Sequence, residues 1–221
     1  APLVALGAEA QVEQKDSFMS RARQLTFEGR RAGEGYFSPD GKHLIFQSER
    51  MSDNPFFQIY TLNLETGDVH RVSDGTGKTT CAFFRPGSDE VLYASTHLDP
   101  QAQAKQAARL RERQEGKEPR YSWDYDAHMD IFSARRDGSQ RKRLTNAPGY
   151  DAEGAYSPDG KKIVFCSLRD TPPAEKMTAA ERKYAEADPA HFGEIYLMDA
   201  DGSNQRRLTD WPGYDGGPFF T

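Results

Sequence analysis

Short apolar runs separated by turn residues recur along the chain. YFSPDGKHLIFQS, from Tyr36 to Ser48, and AYSPDGKKIVFCS, from Ala155 to Ser167, nearly superpose, and a degenerate copy, FFRPGSDEVLYAS, lies between them from Phe83 to Ser95. A second pattern precedes each copy: RQLT at Arg23 to Thr26, HRVS at His70 to Ser73, KRLT at Lys142 to Thr145 and RRLT at Arg206 to Thr209. A third reads QIYTLNLETGD from Gln58, DIFSARRDGS from Asp130 and EIYLMDADGS from Glu194. In each unit an alternating run such as EGYFS meets a Pro-Asp-Gly turn, where proline presets φ and glycine accepts a positive φ. The chain then returns as HLIFQS or KIVFCS, rich in β-branched and aromatic residues. Further on, IYTLNL and IYLMDA turn at Thr66-Gly67 and Asp201-Gly202 into a short strand ending in RVS or RLT. Four strands per unit are predicted.

The spacings sharpen this. From Leu25, Val72, Leu144 and Leu208 to Ser38, Arg85, Ser157 and Thr221 the separation is 13 residues each time, and from Ile59, Ile131 and Ile195 to Val72, Leu144 and Leu208 it is again 13. Only the stretch from the SPDG-type turn to the Ile motif varies, at 21, 46 and 38 residues, so insertion is confined to the loop between second and third strands. A four-stranded meander of roughly 45 residues with its own turn signature is a β-propeller blade. The predicted fold is therefore all-β: blade 1 at 32–73, blade 2 at 79–145 with an insertion at 99–127, blade 3 at 151–209 with an insertion at 171–192, and the start of a fourth blade at 215–221.

The combination of R-L-T, G-Y-D, S-P-D-G-K, a hydrophobic strand, I-Y-x-M-D-x-D-G and R-R-L-T resembles the TolB-like propeller repeat over Arg23 to Thr221. It is also similar to the propeller repeats of prolyl oligopeptidase and tricorn-type proteins. The resemblance implies a six-bladed ring of which this chain supplies about half. It also implies that an N-terminal strand at 21–26 closes the ring by completing the last blade; a disordered lead-in is the other reading. TolB itself carries an α/β domain before its propeller, whereas 22 residues precede the first repeat here. The expectation is a TolB-like propeller rather than TolB. Function stays open, because one fold hosts many activities.

The formal net charge is −5, and 36% of residues are hydrophobic, about 45% with glycine, which fits a globular chain. A mildly acidic protein is a poor generic binder of nucleic acid, and no apolar run approaches the roughly 18 to 20 residues that span a bilayer. APLVALGAEAQ, Ala1 to Gln11, resembles the tail of a secretory signal, with Ala8-Glu9-Ala10 as an A-x-A site; a flexible alanine-rich terminus is the alternative. Export to a bacterial periplasm or envelope suits the family, with an N-terminal tether if residues 1–10 are retained. The two cysteines fall on different strands of different units, so two free, buried thiols are expected.

The first insertion opens Asp99-Pro100 and continues as a run of helix formers to Gly116, predicting a helix with Asp99 as N-cap. The aromatic and acidic stretch YSWDYDAHMD follows, from Tyr121 to Asp130. In the second, the capping box Thr178-x-x-Glu181 predicts a helix to about Ala187. Both insertions should crown the propeller face that carries the inter-blade linkers. Two readings stand there: a protein-binding face formed by Arg109, Arg113, Tyr121, Trp123, Tyr125, Tyr150 and Tyr214, or helices that merely cap blade edges. On the innermost strands, Glu34 and Glu153 occupy equivalent positions, with Asp151 and Asp215 two residues earlier, a candidate channel-mouth site for a cation or basic peptide. His97-Leu98-Asp99 and His128-Met129-Asp130 lack a third zinc ligand. No G-x-S-x-G, Walker loop or G-x-G-x-x-G opens a catalytic or cofactor site, so no cofactor and no catalytic residue is implied. The sequence thus points to a non-enzymatic, exported scaffold or accessory subunit of a cell-envelope complex. The propeller of a hydrolase whose catalytic domain lies elsewhere is the alternative.

Overall fold

The computed structural model describes residues 22–117 and 123–221. Three antiparallel meanders follow one another. The first holds β1 (Arg31–Phe37), β2 (His43–Glu49), β3 (Gln58–Asn63) and β4 (Val69–Arg71); the second holds β5 (Thr79–Phe84), β6 (Glu90–Ser95), β7 (Asp130–Arg135) and β8 (Lys142–Arg143). The third holds β9 (Asp151–Tyr156), β10 (Lys162–Ser167), β11 (Glu194–Asp199) and β12 (Arg206–Arg207). Helix α1 (Ala102–Gln114) lies between β6 and β7, and α2 (Ala179–Ala187), followed by a short 3-10 turn at Pro189–Phe192, lies between β10 and β11. The two helices thus fall in the loops where the variable spacing placed them. The cap of the α-helix is Gln101, two residues after the expected Asp99, although Asp99 Oδ1 still accepts the Gln101 N–H at 2.9 Å and organises the leading turn.

The repeated motifs have direct structural causes. At the Ser-Pro-Asp-Gly turns, the Ser38 hydroxyl accepts the His43 N–H and Asp40 accepts the Lys42 N–H, at 2.9 and 3.0 Å. Ser157 and Asp159 repeat both bonds, at 2.9 and 3.1 Å. The degenerate copy puts Arg85 in place of the serine, and its guanidinium donates to the carbonyl of Gly160 in the next blade at 2.9 Å. The terminal Ser or Thr of the R-x-S/T motif also has a fixed task. Ser73, Thr145 and Thr209 accept the backbone N–H of Ile59, Ile131 and Ile195 at 3.0, 2.9 and 2.9 Å, which ties the outermost strand to the third and holds the spacing constant. The turn between third and fourth strands must also pass close to the neighbouring blade. A Cβ on Gly138 would meet the Val72 carbonyl at 2.6 Å, and one on Gly202 the Leu144 carbonyl at 2.7 Å.

The central strands are apolar almost continuously because each is covered on both faces. Ile45, Ile59 and Val72 of the first sheet pack against Ala82, Phe84, Val91 and Tyr93 of the second. Leu92, Ile131 and Leu144 on the opposite face of the second sheet pack against Ile163, Phe165 and Met198 of the third. Fully burying a side chain of this kind stabilises by about 1.5 to 3 kcal/mol, so these two seams hold the blades together.

The two ends, expected as a closing strand and the start of a fourth blade, have no partner strand among the described residues. Ala22–Phe27 and residues 215–221 therefore form no strand, since a ladder needs two. Leu25 nevertheless packs on Leu44, Phe46, Tyr60 and Leu62, the face of the first sheet turned away from the second. Residues 1–20, where the secretory signal was expected, and Arg21 and Tyr121 lie outside the described residues.

Candidate functional site

Each innermost strand carries a bulge at the same repeat position. The register of β1, β5 and β9 shifts beside Glu34, Cys81 and Glu153, whose φ angles are +47°, +53° and +58°. Gly217, at φ +60°, follows Leu208 by the same nine residues that separate Glu34 from Leu25. Glycine tolerates this conformation freely, but a residue with a Cβ carries a cost of roughly 1 to 2 kcal/mol there. The bulge places these residues at the wall of an inner cavity of about 260 Å³, whose lining includes Glu34, Tyr36, Cys81, Phe83, Trp123, Tyr125, Glu153, Tyr214 and Phe219.

Glu153 is the hub of this cavity. Its Oε2 accepts the Tyr214 hydroxyl at 2.7 Å and the Gly217 N–H at 2.6 Å, while the Tyr150 hydroxyl donates to Oε1 at 3.4 Å. The Tyr150 oxygen accepts the Trp123 indole N–H at 3.0 Å. On the other side Tyr36, Phe83 and Phe219 form an aromatic triangle with ring centroids 5.3 to 5.9 Å apart. Burial raises the carboxyl pKa of Glu34, the nearby Glu153 charge adds to this, and hydrogen bonds to Cys81 and Thr80 oppose it. Burial and the Glu34 charge raise the Cys81 thiol well above its ordinary range. Such surroundings disfavour the thiolate form.

Trp123 and Tyr125 also line a second, larger cavity of about 650 Å³ beside α1. Arg30, Arg31, Lys78, Arg109 and Arg113 line it against two acids, Glu49 and Asp124, with Phe56 and Phe57 as apolar wall. These cations are tethered. Arg113 donates to Glu49 at 3.0 Å and to the Pro55 carbonyl at 2.8 Å, Arg31 also pairs with Glu49, and Lys78 pairs with Asp124 and Asp126. Helical spacing puts Gln106, Arg109 and Arg113 on one face of α1, turned toward the blades. The Gln106 carbonyl accepts the Gly77 N–H of the inter-blade linker at 2.8 Å. At the foot of the helix, Lys105 bridges Asp99 and Asp126 at 2.8 and 2.9 Å. Burial opposes ionisation of Asp126, but Lys78, Lys105 and the His128 N–H overcome it and bring its pKa down to about 2.

The structure sorts the residues chosen from sequence. Arg109, Arg113, Trp123 and Tyr125 gather at the second cavity, and Tyr214, Glu34 and Glu153 join Trp123 and Tyr125 at the first. Three placements need correction. Tyr150 is 1% exposed and offers no docking surface; it supports Trp123 from beneath. Asp151 is fully buried and does not reach the channel mouth, because Ser167 and Arg169 bind its carboxylate at 2.5 and 2.6 Å. Asp215 does not line the cavity either, and its backbone carbonyl accepts the Cys166 thiol at 3.3 Å. His128 approaches Asp99 only to 3.8 Å, and no group of three or more metal-binding side chains gathers among the described residues. Sequence reasoning missed Tyr36, Cys81, Phe83 and Phe219. A nine-residue offset from the Leu or Val of the R-L-T-type motif would have found Cys81, and an eleven-residue offset would have found Tyr36, Phe83 and Phe219, two residues beyond each bulge. Both cysteines are buried and unpaired, and no described helix is long and apolar enough to cross a membrane.

No family model matches the sequence. The Protein TolB homolog of Chlorobium luteolum is 28% identical over 144 residues, which is 58% of this chain and 32% of that protein, so the chain spans about a third of that relative. Among solved structures, TolB from Acinetobacter baumannii superposes with a TM-score of 0.54 at 21% identity, over 84% of this chain and 34% of that one. A puromycin-hydrolyzing peptidase of Mycobacterium tuberculosis superposes with a TM-score of 0.51 at 11% identity, over 87% of this chain and 24% of that one, showing the same fold. Repeat spacing, four-stranded meanders and these likenesses agree on a TolB-like β-propeller fold.

Proposed function

We propose that this chain is the propeller of an exported, non-enzymatic scaffold or accessory subunit in a cell-envelope or membrane-associated complex, and that it binds a protein partner on the face bearing the two insertions. The observation that carries this reading is the shared Trp123–Tyr125 wall between two cavities of opposite charge. One side presents Glu34 and Glu153, the other an excess of arginine and lysine. An aromatic anchor flanked by complementary charge suits an interface better than a reaction centre. Localisation in the periplasm follows from the same reading and from the secretory character of the first eleven residues.

The test is site-specific photo-crosslinking in cells, with the probe at Arg109 on the decorated face and at Asp137 on the opposite side of the blades. A partner that crosslinks from position 109, and is lost when Trp123→Ala and Tyr125→Ala are combined in a protein that stays folded, supports the reading. Equal crosslinking from position 137, or none from 109, sinks it. The alternative, a propeller gating a hydrolase, draws on the fold shared with the peptidase. It requires a catalytic domain in the same polypeptide.

A further inference from the structure

The protein-binding reading draws on the carboxylates of the inner cavity and its Trp123–Tyr125 wall, but not on the rest of its aromatic lining. Six aromatic residues line it, Tyr36, Phe83, Trp123, Tyr125, Tyr214 and Phe219, together with two carboxylates, and none of its described lining residues is basic. Its volume of about 260 Å³ falls below the roughly 300 to 1,000 Å³ of drug-sized sites, so it suits a single small head group. Phe219 and Tyr214 are 54% and 43% exposed, which leaves the mouth open.

We propose that this cavity is an aromatic cage for a quaternary or fully methylated ammonium group. The negative faces of aromatic rings attract a cation, most strongly where water is excluded, and a nearby carboxylate adds direct charge attraction. The state of Glu153 decides which cation fits. Both of its oxygens already accept hydrogen bonds, from Tyr150, Tyr214 and the Gly217 N–H. A primary ammonium brings three N–H donors that need acceptors, and a carboxylate already engaged in this way serves them poorly. A quaternary ammonium has no donors and asks only for charge and ring faces. The same engagement disfavours a bare metal ion, which would have to break those bonds to gain a ligand.

The source of the group, a free small cation or a trimethylated lysine on a partner, is separated by experiment. In one arm the protein is titrated calorimetrically with tetramethylammonium, with choline and with 3,3-dimethylbutanol, the neutral isostere of choline. In the other it is titrated with a peptide carrying trimethyllysine and with its unmodified counterpart. The cage predicts saturable one-site binding of the cation, at least about tenfold tighter than the isostere. Phe219→Leu, which keeps apolar bulk but removes a ring face at an exposed position, and Glu153→Gln, which removes the charge, should each weaken binding about fivefold or more at unchanged melting temperature. Saturation by the free cations assigns a small molecule. Saturation by the trimethyllysine peptide alone assigns a partner's modified lysine. Equal binding of the neutral isostere, or no saturation by any cationic probe, overturns the proposal. Trp123 and Tyr125 line both cavities, whereas Phe219 lines only the inner one, so Phe219→Leu separates the two ideas: loss of cation binding with crosslinking from position 109 intact leaves the docking face standing, and the reverse leaves the cage standing.

Discussion

The two helical insertions occupy the same loop of adjacent blades, yet they are held in opposite ways. Helix α1 is stitched into the propeller: Lys105 bridges Asp99 and Asp126, Gln106 binds the Gly77 linker N–H, and Arg113 crosses to Glu49 and Pro55 of the first blade. Helix α2 buries none of its residues. It is organised from within, by the reciprocal Thr178–Glu181 cap, the Arg182 bond to the Ala174 carbonyl and the Tyr184–His191 stack. The lesson is that a capped helix of good formers can serve as a structural clamp or as surface decoration. Polar partners outside the helix, on a neighbouring blade and its linkers, decide between them.

The comparison breaks most sharply at Asp126. Replacing it with alanine removes one carboxylate from each of Lys78 and Lys105, which keep Asp124 and Asp99, and should cost about 1 to 2 kcal/mol in chemical denaturation, discounted for the partial exposure of both lysines. A carboxyl whose folded pKa lies near 2 and whose ordinary value is 3.8 contributes stability that is fully present above about pH 4 and lost as pH falls through about 2. Acid titration of stability should show this loss in the natural protein and not in Asp126→Ala; matching acid limbs would refute the clamp. Of similar size, Gln106→Ala leaves the buried Gly77 N–H without its partner and should cost about 1 to 2 kcal/mol, with faster amide exchange at Gly77. On the other helix, Thr178→Ala should remove about 0.5 to 1 kcal/mol of local helix stability, seen as faster proteolysis within 171–192 while the global transition stays put. Smallest of all, Tyr184→Ala at a 53% exposed site should change global stability by less than about 0.5 kcal/mol. A larger loss there would mean that α2 is docked after all.

Much of the architecture was legible because it depends on local chemistry repeated at fixed intervals. Ser38 and Ser157 make the same turn, and Ser73, Thr145 and Thr209 make the same strand-to-strand bond, so their spacing cannot drift without losing a hydrogen bond. Placing Glu34 and Glu153 on an inner wall required only repeat counting. Asp151 misled because an innermost-strand aspartate resembles an exposed carboxylate until Arg169, 18 residues away, is seen to neutralise it. Tyr150 misled for a related reason: a linker tyrosine looks exposed, but the blade seam and Trp123 enclose it.

The amino-acid sequence by itself determined the blade repeat, the loops that accept insertions, and the helices within them, because turns, caps and strand periodicity act over a few residues. Only the tertiary structure decided that α1 clamps while α2 rides on the surface, and that Trp123 and Tyr125 divide an acidic cavity from a basic one. Those outcomes depend on groups tens of residues apart meeting across blade seams, where burial and charge pairing are properties of the assembled sheets and of no single segment.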